Sequence, residues 1–232
     1  MMQGTVLRNA RLTKEWTQQE AAVALGVTQA YLSMLERGRR EVPDRLVLKA
    51  QKVLSLPPTA LPLLPEQESM ARTSKKLDLA RELGALGYPA FSYQPAQARH
   101  NPAFVLFAAL NEPDLDSRVT EGLPWLALTY VDLDWKWLVR NAKLHDRQNR
   151  LGFTVSLARE VAQARGDKQR AKTLQQCAQV VEVSRLAREG TYCHDSMTEA
   201  ERDWLRQNRS SLAKHWNLLT DLKGEHLAYP SR

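Results

Sequence analysis

Few residues in this 232-residue chain have the types and spacing for covalent chemistry. Cys193-His194-Asp195 places a thiol, an imidazole and a carboxylate side by side, but consecutive loop residues point in different directions and adjacency alone does not make a nucleophile oriented by its base. The five histidines, His100, His145, His194, His215 and His226, form neither HExxH nor HxH, so no metal site is expected. No P-loop and no GxGxxG occurs, and ten glycines leave little room for a phosphate-cradling loop. Neither catalysis nor a cofactor is expected. The basic side chains are the richer resource: a net charge of +7 and a pI near 9.5 favour a polyanionic partner. Nine Lys/Arg against five acids in residues 1 to 60 put +4 of that charge in the first quarter of the chain.

The elements that would position this charge are two short helices in TQQEAAVALGVTQAYLSMLERGRR, Thr17 to Arg40. Thr17 and Glu20 form a capping box that starts the first helix. Ala21, Ala22 and Leu25 supply its small apolar face, and Gly26 stands where the chain must turn left-handed to leave it. Thr28 caps the second helix, Val27 plugs the turn, and Leu32 and Leu35 are spaced to pack back onto the first. Gln29, Ala30, Ser33, Met34 and Arg37 are left facing outward.

Gln18, then Ala22, Gly26, Val27 and Thr28, then Leu32, Glu36 and Gly38 make a pattern that resembles the Cro/CI-like (XRE) helix-turn-helix transcriptional regulators, from about Thr5 to Leu56. The resemblance implies a five-helix lambda-repressor-like domain whose second motif helix reads double-stranded DNA. It implies a DNA-binding set of Gln18, Thr28, Gln29, Ala30, Tyr31, Ser33, Met34, Arg37, Arg39 and Arg40. Within that set Gln18 binds a phosphate and braces Gln29; Gln29, Ala30 and Met34 face base edges; Tyr31 and Ser33 lie nearer the backbone. Arg37, Arg39, Arg40 and Arg45 cluster where the family places phosphate contacts. Met34 departs from the polar readers of many relatives. It can touch a thymine methyl but makes no bidentate base pair contact, which implies modest specificity.

Around the motif, a first helix is predicted from about Thr5 to Lys14 with Val6, Leu7, Ala10 and Leu12 as its apolar positions. Another is predicted from Asp44 to Leu54 on Leu46, Leu48, Ala50 and Val53, stopped by Leu56-Pro57-Pro58. Residues 1–60 are thus expected to form the reader and residues 61–74 a proline-rich linker. Residues 75–232 are expected to form a helical domain for dimerisation or partner binding. There, helices are predicted over Lys75 to Leu86, Asn101-Pro102 to Leu110, and Asp116 to Tyr130 with a bend or restart at Pro124. Asp132 to Gly166 is read as helical with a break near Gly152, followed by Gln169 to Arg188. Thr198 and Glu201 form a second capping box, and a last helix carries Leu212, Trp216 and Leu219. No strand pair is apparent, so the fold class is all-α. Five of the six tryptophans, Trp125, Trp135, Trp137, Trp204 and Trp216, fall in this part, available to its core or an interface. The nine basic residues between Arg140 and Lys172 are a candidate second nucleic-acid surface, although a solvated helix face is the plainer reading.

Two stretches, DLDWKWLVRNAKLHDRQNRLGF and MTEAERDWLRQNRSSLAKHWNLLTDL, resemble a helical region of bacterial helix-turn-helix proteins, some encoded beside toxin genes. The likeness carries no activity. Two cysteines without a CxxC pair, no signal-peptide core and no 18-residue apolar run point to a soluble cytoplasmic protein without a membrane partner. The expected function is a sequence-specific DNA-binding regulator, a repressor, acting as a homodimer. Alternatives are an antitoxin that neutralises a cognate toxin with its helical domain, or a DNA-directed enzyme of unfamiliar helical type.

Overall fold

A computed structural model describes residues 2–63, 77–93, 97–227 and 229. These form two compact units, one of residues 2–63 with 98–101 and one of residues 77–93, 97, 102–227 and 229. The fold is all-α, with four of the described residues in two short strands.

The first unit contains α1 (Gly4–Thr13), α2 (Gln18–Leu25), α3 (Gln29–Glu36), α4 (Asp44–Val53) and a 3-10 turn, Pro58–Ala60. Its core is a single apolar cluster in which Leu7, Leu25, Leu32, Leu35 and Ala50 are almost fully buried. On α1 the expected apolar Leu12 is exposed while Arg11 is buried, because Leu7 and Arg11 share a face four residues apart and a carboxylate on α3 receives the guanidinium. On α4, Val47 and Leu54 are buried where Leu48 had been expected, and Leu48 faces out. The fifth expected helix is only the 3-10 turn after Pro57. Of the expected linker, Leu61 lies in this core, and 64–74 fall outside the described residues, as do 75 and 76 at the start of the next predicted helix. Asn101 ties the returning segment to this unit: its Nδ2 donates to the carbonyls of Thr59 at 2.9 Å and Leu61 at 2.7 Å.

The second unit is built on α9 (Gln148–Ala164), which packs against α7 (Ser117–Thr129), α8 (Trp135–Leu144) and α10 (Lys168–Glu182). Also in it are α5 (Leu79–Ala85), α6 (Pro102–Asn111), α11 (Glu199–Asn208) and α12 (Ser211–His215). From Pro102 to Leu110 every residue of α6 is buried, as befits a helix apolar on all sides. α7 runs unbroken through Pro124, with Gly122 to Leu128 buried around it.

Three expectations are corrected here. The break lies not at Gly152 but between α8 and α9, where Asp146 has φ +55°. Gly152 instead lies mid-helix against Trp216: a Cβ there would stand 2.2 Å from the indole Cη2. The predicted helix to Arg188 ends at Glu182, because the Asn149 side chain clamps the chain beyond it. Asn149 Nδ2 donates to the Leu186 carbonyl at 2.9 Å, and its Oδ1 accepts from the Leu186 N–H at 2.8 Å. The chain then enters β1 (Gly190–Thr191), which pairs in parallel with β2 (Leu218–Leu219), so Leu219 belongs to a strand and the last helix stops at His215.

Candidate nucleic-acid interface

The placement of α3 begins with local chemistry at both of its ends and at the start of α2. Glu20 N–H donates to Thr17 Oγ1 at 3.2 Å while Thr17 N–H donates to Glu20 Oε2 at 2.7 Å, which satisfies two helix-end donors reciprocally. These bonds hold the Glu20 carboxyl below its ordinary value. Gly26, at φ +68°, turns the chain out of α2, and Val27 N–H returns to the Ala22 carbonyl at 2.9 Å. Thr28 Oγ1 then accepts from Tyr31 N–H at 3.2 Å and opens α3. At the far end Gly38, again left-handed, lets the Arg39 N–H reach the Met34 carbonyl at 2.9 Å.

Beneath the surface, α3 is held by a buried ionic cluster. Arg11 Nε donates to Glu36 Oε1 at 2.6 Å and Nη2 to Oε2 at 3.0 Å, a bidentate pair, while Nη1 donates to the Trp16 carbonyl at 2.8 Å. Burial pushes the Glu36 carboxyl up, but the bonds from Arg11 and Gln18 and the Arg11 charge outweigh it, and the pKa ends below its ordinary value. The hydrogen bond from Arg11 to Glu36 raises the Arg11 pKa in turn. The Gln18 amide nitrogen donates to Glu36 Oε2 at 2.9 Å. One N–H of the Gln18 amide is thereby given to the buried carboxylate, a strong acceptor.

On the outer side, Thr28, Gln29, Ala30, Arg37, Arg39 and Arg40 are exposed, and Gln18, Tyr31, Ser33 and Met34 are half-buried. The Arg40 guanidinium sits 5.9 Å from the Tyr31 ring centroid, which holds one arginine of the loop beside the helix. The surface is thus a helix with a polar first turn followed by a basic loop, on a frame that the Arg11–Glu36–Gln18 cluster makes rigid. Sequence reasoning passed over Arg11 and gave Glu36 no partner. The signal was there: Arg11 shares the phase of Leu7, Glu36 that of Leu32, and a carboxylate in a buried phase needs a cation.

The helix-turn-helix family model (HTH_3) matches residues 7–61. The N-terminal unit is an XRE-type helix-turn-helix domain. No curated protein and no solved structure matches the chain. The helix-turn-helix domain makes this a DNA-binding transcriptional regulator, and α3 is the second helix of its motif.

Outside the helix-turn-helix domain, the other candidates are dispersed. Among the described residues no helix is long and apolar enough to cross a membrane, and no three of His, Cys, Asp and Glu assemble as a metal-binding group. Cys193 is buried and His194 exposed, while Asp195 accepts from Arg150 Nη2 at 2.8 Å and from the Thr191 hydroxyl. Burial pushes the Cys193 thiol up to about 11, the opposite of what an activated nucleophile needs. In the basic run, Arg150 is buried and Arg147 and Arg159 are half-buried, so the nine charges do not form one surface.

Proposed function

We propose that the protein is a sequence-specific repressor that binds operator DNA as a homodimer. Gln29, Ala30 and Met34 face the base edges, while Tyr31, Ser33, Arg37, Arg39 and Arg40 lie along the phosphates. Gln18 offers its remaining amide N–H to a phosphate, and Thr28, at the N-terminus of α3, faces the backbone beside it. The observation that carries this reading is the exposed first turn of α3, open to the solvent on a helix fixed from behind by a buried ion pair. A glutamine at such a position can pair bidentately with adenine, and guanidinium groups on the adjoining loop neutralise phosphates whatever the sequence.

A single domain of this size has a small footprint, and two linked copies gain from effective concentration without any new contact. Leu144, Val180 and Val183 are large apolar side chains left exposed on the second unit, Val183 at 88%, and support an interface there. Half-sites should then repeat about 34–36 Å apart or at a multiple of that distance.

Selected-site binding at fixed salt tests the assignment. Gln29→Ala should cost on the order of 1–3 kcal/mol of specific binding and blur one base position, whereas Arg39→Ala should weaken all sequences alike. An unchanged site preference for the Gln29 variant would refute the base-reading role. Light scattering of the full chain tests the dimer, and a promoter fusion that is silenced by the wild type and not by the Gln29 variant tests repression.

A further inference from the structure

The second unit contains a cavity of about 870 Å³ between the first turns of α7, α11, and the segments 192–197 and 220–226. Its size falls in the range of small-molecule sites rather than of packing defects. Met197, Trp204 and Leu205 give it apolar walls, and the Trp204 indole is 57% exposed although it lines the cavity. A tryptophan open to solvent inside a concave site offers a ligand a large apolar face.

Charge is what narrows the ligand. In a protein of net charge +7, no lysine or arginine among the described residues lines this cavity, whereas Glu121, Glu201 and Asp221 do. Glu201 is already engaged by the Thr198 cap. The side chains of Glu121 and Asp221 make no hydrogen bond or ion pair with any described residue. His194 and His226 are the basic side chains of the lining. An apolar, tryptophan-bearing cavity with two unpaired carboxylates suits a cation with an aromatic or aliphatic body: the carboxylates compensate its charge, and the indole face attracts it by the cation–π effect.

We propose that this cavity is a binding site for a small organic cation. The site goes beyond the DNA-binding reading and does not depend on it.

Calorimetric titration of the full chain with two probes of nearly equal shape and opposite charge, tetraphenylphosphonium and tetraphenylborate, tests the proposal. The overall charge of the protein favours the anion, so a preference for the cation reports the cavity. The expected result is one saturable site that binds the phosphonium at least about tenfold more tightly than the borate, with Trp204 shielded from acrylamide quenching. Glu121→Gln combined with Asp221→Asn should remove that preference, and Trp204→Ala should weaken the cation several-fold. All three positions are at least partly exposed, and the two carboxylates support no contact, so the fold should survive. Tighter or equal binding of the borate, absence of a saturable site, or an unaltered preference in the carboxylate variant would each overturn the proposal. Because the titration uses no DNA, its failure leaves the operator reading standing, and the converse also holds.

Discussion

Among the described residues each unit buries one arginine, and the two are satisfied in opposite ways. Arg11 meets another helix's carboxylate, Glu36, and the pair is almost completely removed from water, with side-chain exposures of 9% and 2%. Arg150 meets mostly backbone: it donates to the carbonyls of Leu110 at 3.0 Å, Glu112 at 2.9 Å and Thr191 at 2.9 Å, and its one carboxylate partner, Asp195, is 43% exposed. The first arrangement ties α1 to α3, the helix whose first turn is exposed. The second gathers the end of α6, the strand β1 and the loop after it around one side chain. A paired charge orients elements, and a charge given to carbonyls ends them, because the guanidinium supplies donors where helix and loop backbone run out of partners.

The largest effect should come from breaking the paired arginine. Arg11→Ala leaves Glu36 buried without its cation and should destabilise the helix-turn-helix domain by about 3–5 kcal/mol. Replacing both partners, Arg11→Met with Glu36→Leu, should restore most of that loss. Peptide-resolved hydrogen exchange on the full chain reads this unit separately from the other, and equal loss in the single and double variants would show that α3 is not held by this pair. The same pair sets an acid limit. The folded-state pKa of Glu36 lies below its unfolded value, so its contribution is complete above the ordinary glutamate range of about 4.3 and is lost as pH falls through the folded pKa. Exchange protection of α1 and α3 should fall in that window in the wild type and less steeply in the double variant, where the Glu20 cap still titrates there.

Arg150→Met should cost less, about 2–4 kcal/mol, since its carboxylate partner can turn to water while the carbonyls cannot all do so. Protection should be lost together at the end of α6 and over residues 190–195. Loss confined to one of these would show that Arg150 does not join them. Next comes Gly152→Ala, which drives a methyl into the buried Trp216 ring and should cost about 1–3 kcal/mol. The change should be visible as loss of the near-ultraviolet signal of a tryptophan that donates to Ser156 Oγ at 3.1 Å. The smallest effects belong to the two capping boxes. Thr17→Ala and Thr198→Ala should each cost about 1 kcal/mol, and should fray α2 and α11 respectively without touching the other unit. Coupled fraying would mean that the two units do not open independently.

Much of the first unit is legible in the order of its residues. Both capping boxes, the left-handed Gly26 and the span of α2 and α3 depend on residues within four positions of one another, and such contacts are written directly in the order of side chains. Of the outward face expected for α3, Gln29 and Ala30 are exposed and Ser33 and Met34 half-buried. In the second unit the spans of α6 and α7 were legible for the same reason, since apolar repetition and a proline at the first helical turn are local signals.

The misplaced elements all depend on partners distant in the chain. Gly152 looks like a helix breaker until Trp216, sixty-four positions later, fills the space its missing side chain leaves. Arg150 belongs to a basic run in the sequence, and only the approach of Leu110, Glu112 and Thr191 takes it inside. The helix expected to Arg188 ends early because Asn149 captures Leu186, and the final helix yields to a strand because Leu218 and Leu219 find Gly190 and Thr191. Local order alone therefore determined that this chain carries a helix-turn-helix and where its second helix starts and stops. Tertiary structure decided which charges are buried, because the cost of removing a charge from water is set by whatever arrives to meet it, and that arrives from elsewhere in the chain.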